Sequence, residues 1–337
     1  MPVTPLTKVL VVDDSLTMRA LIAGALERIP GVEVVGLADG AAEARDMVAQ
    51  LRPHVMTLDV EMPGMSGIDY LAEIMGQRPM PVIMFSTRTT DGASESVEAL
   101  RLGAVDCFPK PRVAAPAELD AIIARLGKRI KQARNMELKA PRPAAPVAKV
   151  ASIDWNGRLV VVGGDASSTA AMFDFFSAFP ADGPPVLVVQ HLGAELLDRL
   201  VARLGQQVAP RVMVAADGMA IERGTIYFAP AGDRHLVVDG WPDGRARLLA
   251  REPVAGERPS ISLLFASAAK AAGQDAVAAL LIDGSEDGGG GVKAMLGAGG
   301  YALSPATGGG YALARGMVSQ PVAHEALAQA VLKLCAR

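Results

Sequence analysis

Leu159-Val160-Val161-Val162-Gly163-Gly164-Asp165-Ala166-Ser167-Ser168-Thr169 is the stretch on which the reading of this chain turns. Four apolar residues, two glycines and a run of small polar residues read as a buried parallel strand, a tight turn and a helix N-terminus. Open α/β sheets carry their chemistry there, outside the carboxyl ends of the strands. In hydrolases built on a strand–turn–helix element, the residue after the turn is a serine held at the rim of the sheet. Here it is Asp165.

Outward from that stretch, residues 156–337 keep an α/β pattern. Strands are expected at 159–162, 186–190, 212–215, 225–229 and 276–282, and helices at 169–179, 194–204, 262–272, 291–296 and 323–334. Segments 236–238 and 246–249 flank Asp239-Gly240-Trp241-Pro242-Asp243-Gly244, whose composition predicts a hairpin tip. Two strand ends carry chemistry: Gln190-His191, and Asp283-Gly284-Ser285-Glu286-Asp287 before four glycines. With a nucleophile after the first strand, His191 as base and Asp287 as its orienter would complete a hydrolytic triad. His235 reads instead as a packed, hydrogen-bonded imidazole.

Residues 6–128 alternate short apolar runs with helical patterns five times, which implies a doubly wound parallel sheet flanked by helices. Asp13-Asp14 closes the first strand and Asp59 the third, so three carboxylates converge at one edge. Such convergence calls for a cation, and Mg²⁺, a hard ion with oxygen ligands, suits it. Ser86 closes the fourth strand with a hydroxyl, and Lys110 the fifth with a point charge suited to a phosphoryl oxygen. An acid, a metal, a hydroxyl and a lysine at one rim make a site for phosphorylating a carboxylate.

Composition narrows the partners. The chain of 337 residues suggests about two domains, and 33 basic against 36 acidic residues leave a net charge of −3, with no global field for nucleic acid or membrane. The two cysteines, Cys107 and Cys335, form no CxxC, which argues against a disulfide framework or a zinc site. The first apolar run, Val9-Leu10-Val11-Val12, is cut by two aspartates and is too short for a signal peptide. No stretch reaches the length of a membrane span, and the two cysteines read as reduced thiols of a cytoplasmic protein. Residues 129–155 pass from a basic helical tail to Pro141-Arg142-Pro143-Ala144-Ala145-Pro146 and read as a semi-rigid tether.

The residues of the first half, Val-Val-Asp13-Asp14-Ser, Leu-Asp59-Val-Glu-Met-Pro-Gly, Phe-Ser86-Thr and Phe-Pro-Lys110-Pro, resemble the receiver domain of bacterial response regulators. The resemblance implies a flavodoxin-like fold in which Asp59 takes a phosphoryl group from a histidine kinase. It implies that Asp13, Asp14 and Asp59 hold Mg²⁺ and that Ser86 and Lys110 answer the phosphate, a charge change acting on a bistable element. Cys107 departs from the family near its aromatic switch position, with Phe108 adjacent.

The second half, with Arg258-Pro259-Ser260 and Gly316-Met317, resembles the catalytic domain of the chemotaxis receptor methylesterases, the CheB family. That family hydrolyses glutamyl methyl esters and deamidates glutamines on chemoreceptor cytoplasmic domains, and its receiver blocks the active site until phosphorylated. The resemblance implies two doubly wound α/β domains, at 6–128 and 156–337, joined by the tether. It also implies departures. The family's Gly-Ala-Ser-Thr-Gly-Gly is Gly163-Gly164-Asp165-Ala166-Ser167-Ser168 here, so Asp165 takes the nucleophile position. Its Thr-Gly-Met-Gly is Ile282-Asp283-Gly284-Ser285, and Val318 replaces a proline.

The spacing of 26 residues between Asp165 and His191 keeps this register. If a helix starts near Asp165, a residue two positions on is rotated by about 200° and faces away. The expectation is therefore a phosphorylation-controlled regulator with weak or lost esterase activity. The alternative is an active methylesterase using Ser167 with His191 and Asp287. Asp165 is expected to cap a helix, and with Asp287 to raise the pKa of His191 and hold it as imidazolium.

Overall fold

The computed structural model describes residues 6–86, 90–110, 116–134, 152–281, 287–306 and 320–337. The chain divides into two compact units, Met1–Arg142 and Pro143–Arg337. Most of the tether, the 282–285 loop, Gly316-Met317 and Val318 lie outside the described residues.

The first unit has five strands, β1 (Thr7–Val12), β2 (Val32–Ala38), β3 (Val55–Asp59), β4 (Val82–Ser86) and β5 (Asp106–Pro109). Between and after them run α1 (Leu16–Glu27), α2 (Ala41–Leu51), α3 (Gly67–Gln77), α4 (Thr90–Arg101) and α5 (Pro116–Ala133). The sheet order is β2-β1-β3-β4-β5, all parallel, with helices on both faces. Strands covered on both sides are apolar throughout, and Val9 to Val12 are accordingly buried. The chain leaves β1 for β2 and returns to β3 on the other side, so the ends of β1 and β3 flank a topological switch point. Serines set the helix starts there. Ser15 Oγ accepts from Met18 N–H at α1, and Ser66 Oγ from Asp69 N–H at α3. Gly67 is required by contact, since a Cβ there would run into the Asp59 carbonyl.

The second unit holds β6 (Leu159–Asp165), α6 (Thr169–Ser177), β7 (Val186–His191), α7 (Ala194–Gln207), β8 (Arg211–Val214), β9 (Met219–Ala220) and β10 (Thr225–Phe228). There follow β11 (His235–Asp239), β12 (Arg245–Leu249), α8 (Ile261–Ala272), β13 (Ala276–Leu280), α9 (Gly289–Gly297), β14 (Tyr301–Pro305), β15 (Gln320–Val322) and α10 (Leu327–Cys335). A seven-stranded parallel sheet runs β15-β14-β13-β6-β7-β10-β8. The hairpin β11–β12 stands apart with β9 as a small antiparallel sheet. Two apolar clusters cover the large sheet, one around Phe173, Phe176, Phe179 and Phe228, the other around Ile261, Phe265 and Tyr227. Among the described residues no helix is long and apolar enough to cross a membrane.

One expectation is corrected here: Gly163-Gly164 is not a turn but the end of a strand, since β6 runs through both glycines to Asp165. They are glycines because side chains crowd them. A Cβ on Gly163 would strike Ile261, and one on Gly164 would strike Gln190 and Ser168. The turn comes three residues later, as a 3-10 segment at Ala166–Ser168. Strands β14 and β15 are additions to the expected set; β15 is three residues long and contains Pro321, too short for a periodic signal.

Candidate functional site

In the first unit the carboxylates converge as expected. Asp13 and Asp59 are buried and Asp14 is exposed, and one ligand oxygen from each lies within 4.8 Å of the others. Lys110 Nζ reaches Asp59 Oδ2 at 2.7 Å and Asp13 Oδ2 at 3.2 Å. Asp13 is held from below, where Oδ1 accepts Ser15 N–H at 2.9 Å and the main-chain carbonyl accepts from Arg19 Nη1 at 2.6 Å. Burial pushes the Asp59 carboxyl up to about 6, and the Asp13 charge adds to this; Lys110 and the Glu61 N–H act against it. One ammonium, shared by Asp59 and Asp13, thus leaves the cluster short of positive charge. A hard divalent cation fits that deficit and that all-oxygen donor set.

Ser86 ends β4, and its Oγ accepts from Ser96 Oγ at 3.0 Å. The Ser96 carbonyl in turn accepts from the buried Cys107 thiol at 3.4 Å, and burial pushes that thiol well up. Phe108 packs against Phe85, ring centroids 6.1 Å apart, with the Arg125 guanidinium 4.9 Å above its ring. Ser96, which links Ser86 to β5, had no mark in the sequence: it is one polar residue in an amphipathic helix.

In the second unit Asp165 and His191 are register partners at the carboxyl ends of adjacent strands β6 and β7. Asp165 caps the 3-10 segment, its N–H donating to Ser168 Oγ at 2.9 Å. Gln190 Nε2 pins the Asp165 carbonyl at 2.6 Å. Ser167, half-buried, donates its hydroxyl to Asp165 Oδ1 at 2.6 Å. Among the described residues no hydroxyl bonds to the His191 ring. Its Nε2 lies 3.1 Å from the Pro259 carbonyl and 3.3 Å from Asp287 Oδ2.

Asp287 is gripped by the N-terminus of α8. Oδ1 accepts from Ser260 Oγ and from the N–H groups of Ser262 and Gly288, each at 2.9 Å, while Oδ2 accepts Ile261 N–H at 2.7 Å. Burial disfavours its charge, but the His191 proton and these donors outweigh burial and hold its pKa below the usual value. For His191 burial acts downward, and the hydrogen bond to Asp287 together with the charges of Glu257, Asp287 and Asp165 raises its pKa on balance. The direction is the one the sequence implies. Glu257 and Pro259 were not foreseen as neighbours of the ring, and Ser260 was legible only as a landmark. His235 is fully buried with both nitrogens bonded to backbone.

Two parallel α/β units, one with an acid cluster beside a lysine and one with a His–Asp pair at the sheet's edge, mark a response regulator with a hydrolase-type output domain. The comparisons give the family. Residues 9–124 match the response regulator receiver domain and residues 160–335 match CheB methylesterase. The chain is 42% identical over 299 residues to the protein-glutamate methylesterase/protein-glutamine glutaminase 1 of Rhizobium johnstonii, spanning 88% of this chain and 85% of that one. It shows the same identity to the protein of that name in Caulobacter vibrioides, over 88% and 86%. The crystal structure of the Thermotoga maritima CheB methylesterase catalytic domain shares the fold, with a TM-score of 0.50 and 21% identity over 53% of this chain and 99% of that one. The chain belongs to the CheB methylesterase family and carries a receiver domain ahead of the methylesterase domain.

Proposed function

We propose that this protein is a chemosensory response regulator, phosphorylated at Asp59, whose methylesterase domain has weak or lost hydrolytic activity and works by phosphorylation-dependent binding. The single observation that carries the reading is the carboxylate of Asp165, paired in register with His191 where a hydroxyl nucleophile belongs. Attack by a carboxylate on a glutamyl ester would give an anhydride, a poorer route than serine attack. An imidazole with a raised pKa is also less available as a base, because less of it is in the free-base form at a given pH.

In the receiver, an Asp59 oxygen attacks the phosphorus of a phosphohistidine or of acetyl phosphate, and the bond to the donor breaks. Lys110, 2.7 Å from that carboxylate, pairs with the new negative charge, and Ser86 offers its hydroxyl. Asp13, Asp14 and Asp59 would hold Mg²⁺, which when bound neutralises phosphoryl oxygens. The partners are a histidine kinase and the cytoplasmic domain of a chemoreceptor, which places the work in the cytoplasm; neither nucleic acid nor membrane insertion is involved.

The test is recovery of receptor fragments by the full chain with and without acetyl phosphate. Recovery should differ between the two, and Asp59→Asn should abolish the difference; equal recovery throughout removes the binding function. A methanol-release assay on methylated receptor runs beside it. The hydrogen bond from Ser167 to Asp165 favours the second reading, an active methylesterase and deamidase whose nucleophile is Ser167. Turnover that is lost in Ser167→Ala establishes that reading instead.

A further inference from the structure

His235 opens β11 with no exposed surface, and both of its ring nitrogens are engaged. Nδ1 lies 3.1 Å from the Ser260 main-chain nitrogen, and Nε2 lies 3.1 Å from the Glu252 carbonyl oxygen. An N–H only donates and a carbonyl only accepts, so this pairing is made by the tautomer with its proton on Nε2. The two bonds tie together the ends of segment 252–260. Between them the segment folds back on itself, with main-chain bonds of 3.1 Å running both ways between Val254 and Glu257.

The end of that segment reaches the site. The Pro259 carbonyl stands 3.1 Å from His191 Nε2, and Ser260 Oγ donates to Asp287 Oδ1 at 2.9 Å. Because the Pro259 oxygen cannot donate, His191 Nε2 carries a proton, shared with Asp287 Oδ2 at 3.3 Å. The basic lone pair of the ring is then on Nδ1. Which nitrogen serves as base is therefore set by Asp287 together with a carbonyl on a segment whose two ends meet on His235.

We infer that His235 is a positioning residue for the His191–Asp287 pair: by clamping segment 252–260 it holds the Pro259 carbonyl and the Ser260 hydroxyl where they fix the proton of His191 on Nε2. The inference rests on the reading of His191 and Asp287 as the surviving parts of the hydrolase centre. It does not depend on whether Asp165 blunts the esterase.

The experiment uses the full, unphosphorylated chain labelled with nitrogen-15 at its 4 histidines, each assigned by substitution. Long-range proton–nitrogen spectra at alkaline pH, where the His191 ring is deprotonated, report which ring nitrogen keeps the proton. The expected wild-type result is a single tautomer, with the proton on Nε2, for both His191 and His235. His235→Gln offers an acceptor and a donor on one carbon, much as the imidazole does, and should keep the His191 signature. His235→Leu offers neither, and His191 should become a mixture of tautomers. A His191 proton on Nδ1 in the wild-type chain overturns the inference without any variant having to fold. So does an unchanged single tautomer in folded His235→Leu. No ester is turned over in the measurement, so its failure is distinguishable from a failure of the proposed loss of activity.

Discussion

The acid cluster of the receiver and the His–Asp pair of the output domain sit at equivalent places, the carboxyl edge of a parallel sheet, yet their charges are balanced in opposite ways. Asp59 and Asp13 share one lysine, so the cluster is poised to take up more positive charge. Asp287 faces the N-terminus of α8 and collects main-chain and hydroxyl hydrogens on both oxygens before it touches His191. A carboxylate left short of donors is a place for a cation and a phosphoryl group. One saturated with donors is a fixed post that orients a ring.

The largest test of this contrast is Asp165→Ser. Placing a hydroxyl beside His191 should raise methanol release from methylated receptor by several orders of magnitude, up to about 10⁶-fold, the scale at which loss of a serine nucleophile is felt. A folded Asp165→Ser protein with no gain would mean that the loops outside the described residues, not Asp165, limit the chemistry.

Next in size is the receiver's own imbalance. The folded pKa of Asp59, about 6, lies above its ordinary value of 3.8, so its contribution to stability is fully present below pH 3.8 and is lost as pH rises through 6. The loss amounts to about 3 kcal/mol. Asp59→Asn should remove that part of the pH dependence and be more stable than wild type at pH 7, as read by urea denaturation of the first unit. Lys110→Met works the other way: it leaves two buried carboxylates without their cation, should destabilise by about 3 kcal/mol at neutral pH, and should push Asp59 further up.

Mg²⁺ sharpens the comparison at a smaller scale. At about ten times its dissociation constant it should protect the first unit against urea by about 1.4 kcal/mol. The protection should vanish in Asp13→Asn and persist in Asp287→Asn; protection lost in the latter would place the ion in the wrong domain.

The smallest effect belongs to His191. Its pKa stands above 6.5, so its stabilising contribution is complete below that value and fades as pH rises through the folded one. His191→Gln should flatten stability over that window, and Asp287→Asn should move the ring's titration downward by nuclear magnetic resonance. A titration unmoved by Asp287→Asn would mean that Glu257 and Asp165 set it instead.

Much of this architecture was legible in the chain. The strands ending at Asp13, Asp59, Ser86 and Lys110 could be read because buried parallel strands are short apolar runs with their chemistry in the next residue, a local rule. The same rule found β6, β7 and the positions of Asp165 and His191. It misread Gly163-Gly164 as a turn, because those glycines answer to Ile261 and Gln190 rather than to the backbone's own geometry. It passed over Pro259 and Glu257, which become neighbours of His191 only when the 252–260 segment folds across from another part of the chain.

The sequence by itself determined the two α/β units and the placing of Asp13, Asp59, Asp165 and His191 at strand ends, since each depends on contiguous pattern. Tertiary structure alone decided how those residues are charged and bonded. It set which oxygen of Asp13 shares the Lys110 ammonium with Asp59, which helix end neutralises Asp287, and which nitrogen of His191 keeps its proton. Those outcomes depend on burial and on donors from residues far apart in the chain, and spacing along a sequence carries no information about either.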